Sequence, residues 1–256
     1  MIFDTHAHYD DKAYEEDLDI VLDKNREEGI ERIVNVAASM RSCITTLELT
    51  KKYENVYGAI GVHPSDTGEL TENDMKLLEE YCHRDKIVAV GEIGLDYYWD
   101  EPDRPIQKKW FVNQLDLARR VGLPVIIHSR DAAQDTLEIM KEQDAGNIGG
   151  VIHCFSYGVE MAREYLNMGF YLGVGGVVTF KNGKKLKEVV EYAPMDRIVT
   201  ETDCPYLAPV PYRGSRNTSA NIPIIIEEIA RIKGLTVEEV EKVTWENACR
   251  LYDLNI

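Results

Sequence analysis

The chain has 256 residues, of which 44% are hydrophobic and 29% charged, and this composition supports a buried core and an ordinary water-exposed surface rather than dominant disorder. Its net charge of −16 opposes nonspecific adhesion to nucleic acid or to anionic membranes, so a nucleic-acid substrate would have to be attracted locally. No apolar run approaches the roughly 18 residues of a membrane span, and the start of the chain lacks a signal stretch, so we expect a cytoplasmic location.

Short β-branched and aliphatic runs alternate with longer charged segments, which is typical of repeated βα units around a parallel sheet. Eight such runs predict strands: Ile2–Thr5, Arg32–Ala37, Tyr57–Val62, Ile87–Glu92, Pro124–His128, Gly150–His153, Phe170–Val174 and Arg197–Glu201. Because eight parallel strands close a barrel of about 250 residues, we predict an α/β protein with a (β/α)8 TIM barrel, in a single domain spanning residues 1–256.

The intervening segments predict helices, and Gly29, Gly122 and Gly169 each follow one at a position that favours a left-handed residue. The helices are Tyr14–Glu28, Met40–Lys52, Asn73–Cys82, Ile106–Val121, Ala132–Lys141, Glu160–Met168 and Leu186–Tyr192. A Pro-rich loop over 204–221 leads to two further helical segments, Pro223–Lys233 and Val237–Tyr252.

Polar side chains collect where the predicted strands end, which is the face that carries the active site in such barrels. Five of the six histidines lie on this face, and His83 is the exception. The residues at or just after strand ends are His6, His8, His63, Glu92, His128, His153, Glu201 and Asp203.

This gathering of imidazoles and carboxylates predicts a metal site, because burying these groups together without a cation would cost several kcal/mol. A lone His-x-His pair is a weak signal, but six ligands exceed what one catalytic ion needs. We therefore expect two divalent ions, with His6, His8 and Asp203 on one, His128 and His153 on the other, and Glu92 bridging them. Imidazole with carboxylate suits Zn, Mn, Co or Fe, while Mg would prefer fewer nitrogens.

Two carboxylates near the predicted ions each have two possible roles. Asp203 is either a pure ligand or also the general base that takes a proton from the attacking water. Glu201 is either an orienting residue behind the ligands or a buried partner of Arg or Lys.

The charge of the predicted site favours an anionic substrate. Two dications offset by two carboxylates and one hydroxide leave about +1 in a pocket of low dielectric, which suits a phosphodiester. His63, Arg130 and Arg213 are candidates for binding phosphate oxygens, with a surface or structural role as the alternative. The segment Tyr97–Trp99 either caps the barrel or stacks on a base.

Two other sequence patterns indicate structural rather than catalytic roles. A lysine cluster after strand seven, over 181–187, indicates a water-exposed helix face. The five cysteines are far apart and form no C-x-x-C pair, so free buried thiols are expected: Cys43, Cys82, Cys154, Cys204 and Cys249.

The ordered motifs resemble the TatD family of metal-dependent deoxyribonucleases, within the wider metallo-dependent hydrolase group. They are FDTHAHYD at 3–10, GVHP at 61–64, GEIGLDYY at 91–98, HSRDA at 128–132, HCFS at 153–156, ETDCPY at 201–206, YRG at 212–214 and ENACRL at 246–251. The resemblance implies a barrel with the same six ligands, and 3′–5′ exonuclease action on single-stranded DNA.

One departure from the family pattern concerns the loop after YRG. The family often continues with an Asn-Glu-Pro stretch, whereas this chain reads SRNTSAN over 215–221, so Thr218 and Ser219 replace the Glu and Pro. Because this loop borders the site, substrate preference is in question. DNA is the expected substrate, with RNA or tRNA as alternatives, and no membrane partner is expected.

Three hypotheses follow. The first is a DNA phosphodiesterase. The second is a D-aminoacyl-tRNA deacylase, or another amide or ester hydrolase, that uses the same two ions. The third is a binding or scaffolding protein whose metal is structural, with a closed coordination sphere. We expect a monomer.

Overall fold

In this computed structural model, which describes residues 1–99 and 101–256, eight strands form one sheet in the order β1 to β8. They are β1 Ile2–Ala7, β2 Ile30–Val36, β3 Val56–Ile60, β4 Ile87–Asp96, β5 Val125–Arg130, β6 Gly150–Ile152, β7 Tyr171–Val174 and β8 Ile198–Thr200. Strand pairing is parallel wherever its register is described. β1 and β8 are also neighbours, and a parallel bridge joins Ala7 to Cys204, so the predicted (β/α)8 fold class is confirmed.

Nine α-helices occur in the described part of the chain, and their ends follow local sequence signals. Ser39, Thr71 and Thr236 each form a capping box at a helix start, and Gly122 and Gly234 end helices in the left-handed conformation. The helices are α1 Leu18–Glu27, α2 Met40–Lys52, α3 Glu72–Cys82, α4 Arg104–Val121, α5 Ala133–Glu142, α6 Val159–Asn167, α7 Lys184–Tyr192, α8 Ile222–Lys233 and α9 Val237–Leu251.

Two predicted elements had wrong bounds by more than two residues. The first helix begins at Leu18 rather than Tyr14, because Asp11 accepts the Ala13 N–H and caps a short 3-10 helix over Lys12–Tyr14. β4 continues four residues beyond Glu92, because the chain still pairs with β5 after a register shift between Val90 and Ile93.

The chain folds into two compact units, and the single-domain prediction stays a prediction. The first unit comprises Met1–Asn35, Cys154–Leu166 and Tyr171–Ile256, and the second comprises Val36–His153 and Asn167–Phe170.

Each unit has its own packed interior. In the first unit, α9 packs against β1 and β8, where Phe3 contacts the rings of Trp245 and Tyr252. In the second, the buried amide of Gln114 on α4 bonds both backbone groups of Val62 after β3.

The cysteines and the lengths of the helices bear on two further expectations. All five cysteines are free, as expected, and four of them are buried, whereas Cys154 is half-buried rather than buried. Across the described residues, none of the helices combines the length and the apolar character needed to cross a membrane.

Candidate metal centre

The first cluster, in the first unit, consists of His6, His8 and Asp203, which lie where β1 ends and where the chain leaves β8. The Asp203 N–H donates to the His6 carbonyl at 2.9 Å, and the His8 N–H donates to the Cys204 carbonyl at 2.9 Å. These bonds align the two segments side by side. His6 and His8 are two apart on extended chain, so their side chains project to the same side as Asp203.

The donor atoms of the first cluster have the spacing of ligands around one cation. His6 Nε2 lies 3.1 Å from His8 Nε2, and Asp203 Oδ1 lies 3.3 Å from His8 Nε2 and 3.7 Å from His6 Nε2. Ligands about 2.1 Å from a tetrahedral ion stand about 3.4 Å apart. The three atoms therefore fit a divalent metal with two imidazole nitrogens and one carboxylate oxygen, as predicted.

A buried carboxylate, Asp4, supports the first cluster and was missed by the sequence analysis. It accepts the His6 N–H at 3.2 Å, the Thr202 N–H at 3.1 Å, the Thr202 hydroxyl at 2.6 Å and the Ser219 hydroxyl at 2.6 Å. Burial raises its pKa to about 7, although these hydrogen bonds lower it. The available signal was spacing, because Asp4 lies two residues before His6 on the same strand face.

The second cluster, in the second unit, consists of Glu92 in β4, His128 in β5 and His153 directly after β6. Glu92 Oε1 lies 2.7 Å from His128 Nδ1 and 2.8 Å from His153 Nε2. Burial alone would raise the pKa of Glu92, but the neighbouring His153 and His128 hold that pKa well below its ordinary value. One carboxylate oxygen shared by two imidazoles is a donor set that suits a divalent cation.

Asp96 fixes one histidine of the second cluster and was also missed. Its Oδ2 lies 3.0 Å from His128 Nε2, so the ring is held on the side opposite to Glu92. The extension of β4 makes this contact, because it pairs Gly94 with His128. A Cβ on Gly94 would lie 2.0 Å from the His128 carbonyl oxygen, so only glycine permits this approach. The Glu-x-x-x-Asp spacing in GEIGLDYY was the available signal.

His63 lies beside the second cluster. Its Nε2 is 3.9 Å from Glu92 Oε1, and its ring meets that of His128 edge-on with centroids 4.3 Å apart. Nδ1 contacts the Ser65 hydroxyl at 2.7 Å. Burial and the neighbouring His128 lower the pKa of His63 to about 3. The predicted role in phosphate binding stays a prediction.

The two arginines predicted to bind phosphate both lie over aromatic rings. The Arg130 guanidinium is 3.8 Å from the Tyr98 ring centroid, and the Arg213 guanidinium is 4.3 Å from the Phe180 ring centroid. Both arginines are exposed. Their contact with substrate also stays a prediction.

Glu201, predicted to orient ligands or to pair with Arg or Lys, is fully buried. Its carboxylate accepts the Cys154 N–H and lies so close to Gly173 that a Cβ there would be 2.2 Å from Oε2. The Cys154 N–H is thus one partner of the Glu201 carboxylate. Both predicted roles of Glu201, orienting the ligands and pairing with Arg or Lys, remain predictions.

The loop that departs from the family pattern is tied to the first cluster. The buried amide of Asn217 donates to the carbonyls of Thr202 and Tyr206. The Ser219 hydroxyl donates to Asp4, which also accepts the His6 N–H. The departure at Ser219 therefore adds a hydrogen bond directly behind a candidate ligand.

Comparison with known proteins gives consistent matches over the whole chain. The family model described as TatD-related DNase matches residues 3–253. The uncharacterized metal-dependent hydrolase YabD of Bacillus subtilis is 46% identical, with full coverage of both chains. The uncharacterized metal-dependent hydrolase YcfH of Escherichia coli is 37% identical, over 100% of this chain and 97% of that one.

Solved structures agree with this. The crystal structure of YJJV, a TatD homologue from Escherichia coli, has a TM-score of 0.94 at 28% identity, covering 99% of this chain and 98% of the other. A TatD family hydrolase from Entamoeba histolytica has a TM-score of 0.90 at 27% identity, covering 98% and 97%. The chain therefore belongs to the TatD-related DNase family of metal-dependent hydrolases.

Proposed function

We propose that the chain hydrolyses phosphodiester bonds in DNA, as a 3′–5′ exonuclease on single strands, with two divalent ions bound by His6, His8, Glu92, His128, His153 and Asp203. The observation that carries this proposal is the presence of two groups of metal-binding side chains. The donor atoms of His6, His8 and Asp203 have the spacing of ligands around one cation. Glu92 Oε1 lies 2.7 Å from His128 Nδ1 and 2.8 Å from His153 Nε2. These side chains lie in the carboxyl-terminal halves of strands in one parallel sheet or shortly after those strands, which is the side where (β/α)8 enzymes carry their active sites.

In the proposed arrangement the first cluster would hold one ion, His128 and His153 would hold the second, and Glu92 would be shared between them. When bound, the two ions would supply an activated water nucleophile and positive charge for the phosphoryl oxygens. Zn, Mn, Co, Fe and Mg remain candidates, and the imidazole-rich donor set favours the transition metals.

Proton transfer is assigned to Asp203. Its side chain is 19% exposed whereas that of His6 is 1% exposed, so this carboxylate is accessible to a water molecule. Asp96 and Asp4 do not meet substrate in this proposal. Asp96 orients the His128 ring, and Asp4 holds the backbone at His6.

The test uses protein purified with metal analysis and end-labelled single- and double-stranded DNA and RNA. Glu92→Gln and Asp203→Asn are expected to lower turnover of single-stranded DNA by at least about 100-fold, because each removes a ligand charge. His83→Asn is the matched control, since His83 is exposed at the end of α3 and outside both clusters. Unchanged cleavage in both cluster variants, or cleavage that survives EDTA, would contradict the proposal.

The second candidate is hydrolysis of an ester or amide, such as D-aminoacyl-tRNA, at the same centre. The observation that favours it is the altered loop, in which Ser219 is bonded to the carboxylate behind His6. This candidate predicts deacylation of D-aminoacyl-tRNA, lost in Glu92→Gln, with no cleavage of any oligonucleotide bond.

A further inference from the structure

The segment that follows β4 presents two exposed aromatic side chains next to a cation. Tyr98 and Trp99 are 53% and 58% exposed, and their rings meet edge-on with centroids 4.8 Å apart. The Arg130 guanidinium lies 3.8 Å from the Tyr98 ring centroid. We call Tyr98, Trp99 and Arg130 the aromatic platform.

The backbone beneath the platform is fixed by hydrogen bonds in the second unit. The Tyr98 N–H donates to Asp96 Oδ1 at 2.9 Å, and the Tyr97 N–H donates to the Arg130 carbonyl at 2.9 Å. The Tyr97 hydroxyl donates to Asp135 at 2.6 Å, and Arg104 covers the Tyr97 ring at 4.1 Å. Tyr97 is therefore an anchor, while the two aromatic rings after it project to solvent.

The Asp96 carboxylate links the platform to the second cluster. Asp96 accepts the Tyr98 N–H with Oδ1, and its Oδ2 lies 3.0 Å from His128 Nε2. Arg130 is also two residues after His128 and faces Asp96 in the β4–β5 register. A group resting on the platform would thus be held beside the proposed reaction centre.

The chemistry of the platform selects its occupant. The protein carries a net charge of −16, which repels a polyanion, but a nucleobase is neutral and presents a π-face to aromatic rings. Among the described residues, no carboxylate is ion-paired with Arg130, so its guanidinium can meet a phosphate next to the stacked base. A paired base in a duplex does not expose its face and would not fit.

We infer that the aromatic platform binds an unpaired nucleobase by stacking on one of its two rings, Tyr98 or Trp99, while the other ring meets the base edge-on and Arg130 contacts the adjoining phosphate. This inference rests on the proposed function and adds to it the residues that bind the unpaired base and its phosphate.

The test exploits the positions of the three tryptophans. Trp110 and Trp245 are 4% and 6% exposed, so ligand-dependent quenching by a strand reports mainly on Trp99. Metal-stripped protein in EDTA is titrated with a single-stranded oligothymidylate and with an abasic strand of equal length and charge. We expect the oligothymidylate to quench Trp99 emission and to bind at least about tenfold more tightly than the abasic strand.

Two variants locate the effect. Tyr98→Leu is expected to weaken oligothymidylate binding by about tenfold and to leave binding of the abasic strand unchanged. Tyr192→Leu is the matched control, because Tyr192 is 44% exposed and lies under Arg163 at 5.6 Å, but is on α7 in the other unit. Trp99→Leu is followed by anisotropy of a labelled strand and should behave as Tyr98→Leu does.

Several results would overturn the platform: equal affinity for the two strands, unquenched Trp99 emission, or a Tyr98→Leu variant that binds like the parent. If the platform instead binds a partner protein, the two strands should bind with equal affinity. Because the titration contains no metal, it is independent of hydrolysis. Quenching that matches expectation in a protein that cleaves no labelled strand after metal addition would refute the proposed function and leave the platform intact.

Discussion

Several residues act on the candidate centre from behind its ligands. Asp96 holds the His128 ring, and Asp4 holds the backbone N–H of His6 and the Thr202 hydroxyl. Orientation of this kind raises metal affinity because the ligand does not have to be ordered when the ion binds. Loss of either carboxylate should therefore affect metal binding more than the fold.

Replacement of Asp96 by Asn gives a direct prediction. The variant keeps the size of the side chain but loses the charge that holds the pKa of His128 above its ordinary value against the opposing effect of burial. We expect the more weakly held of the two ions to bind about 10- to 100-fold less tightly. Isothermal titration with Zn²⁺ measures this, with His83→Asn as the control, and an unchanged affinity would remove Asp96 from the centre.

Ser219 gives a second prediction at this scale. Ser219→Ala removes one hydrogen bond from the fully buried Asp4 carboxylate, so the free energy of unfolding should fall by about 1–3 kcal/mol. Urea unfolding measures the change. Ser215→Ala, in the same loop but exposed, should cost less than about 0.5 kcal/mol. Equal losses of unfolding free energy in the two variants would show that the hydrogen bond from Ser219 to Asp4 does not stabilise the fold more than an exposed one.

At the scale of elements, the ends of strands determine where ligands lie. The His-x-His pair is at the end of β1, and Glu92 lies inside β4, which runs on to Asp96. Strand periodicity predicted the candidate ligands, and their binding of metal stays a prediction. It could not predict the extension of β4, because that extension depends on a register shift and on the close approach of Gly94 to β5. Asp96 was missed for that reason.

Asp4 was missed for a different physical reason. A carboxylate inside a strand is ordinarily read as exposed or as paired with a cation, but its partners here are two hydroxyls and two backbone N–H groups. One of the hydroxyls belongs to Ser219, more than two hundred residues away in the chain. No local sequence pattern reports a hydrogen bond at that separation.

The contact between α7 and α8 makes stability depend on pH. Glu228 bonds Arg231 at 2.8 Å and Lys187 at 2.8 Å, and the hydrogen bond from Arg231, followed by that from Lys187, lowers its pKa to about 2 despite partial burial. A lowered pKa in the folded state stabilises the fold above the ordinary value of 4.5, and the gain is lost as pH falls from 4.5 towards 2.

Glu228→Gln should accordingly lower the free energy of unfolding by about 1–2 kcal/mol at pH 7, after allowance for solvent screening. The difference between parent and variant should shrink as the pH falls below about 4.5. Urea unfolding at a series of pH values measures it. A difference that is constant from pH 7 to pH 3 would show that the ion pairs contribute nothing.

At the scale of the whole molecule, eight strand-forming runs in order were enough to predict the (β/α)8 class, because that periodicity is local and repeated. The division of contacts into two compact units was not predicted, since it depends on which distant segments pack together. The central claim of the proposed function is that His6, His8, Glu92, His128, His153 and Asp203 bind two ions and that Glu92 is the ligand shared between them.

The most direct test of that claim is electron paramagnetic resonance of the protein loaded with two equivalents of Mn²⁺. Two ions about 3.5–4 Å apart under a Glu92 bridge are expected to give an exchange-coupled spectrum. That spectrum should be lost in Glu92→Gln and kept in His83→Asn. The spectrum of isolated Mn²⁺ in the parent protein at full loading would contradict a shared centre.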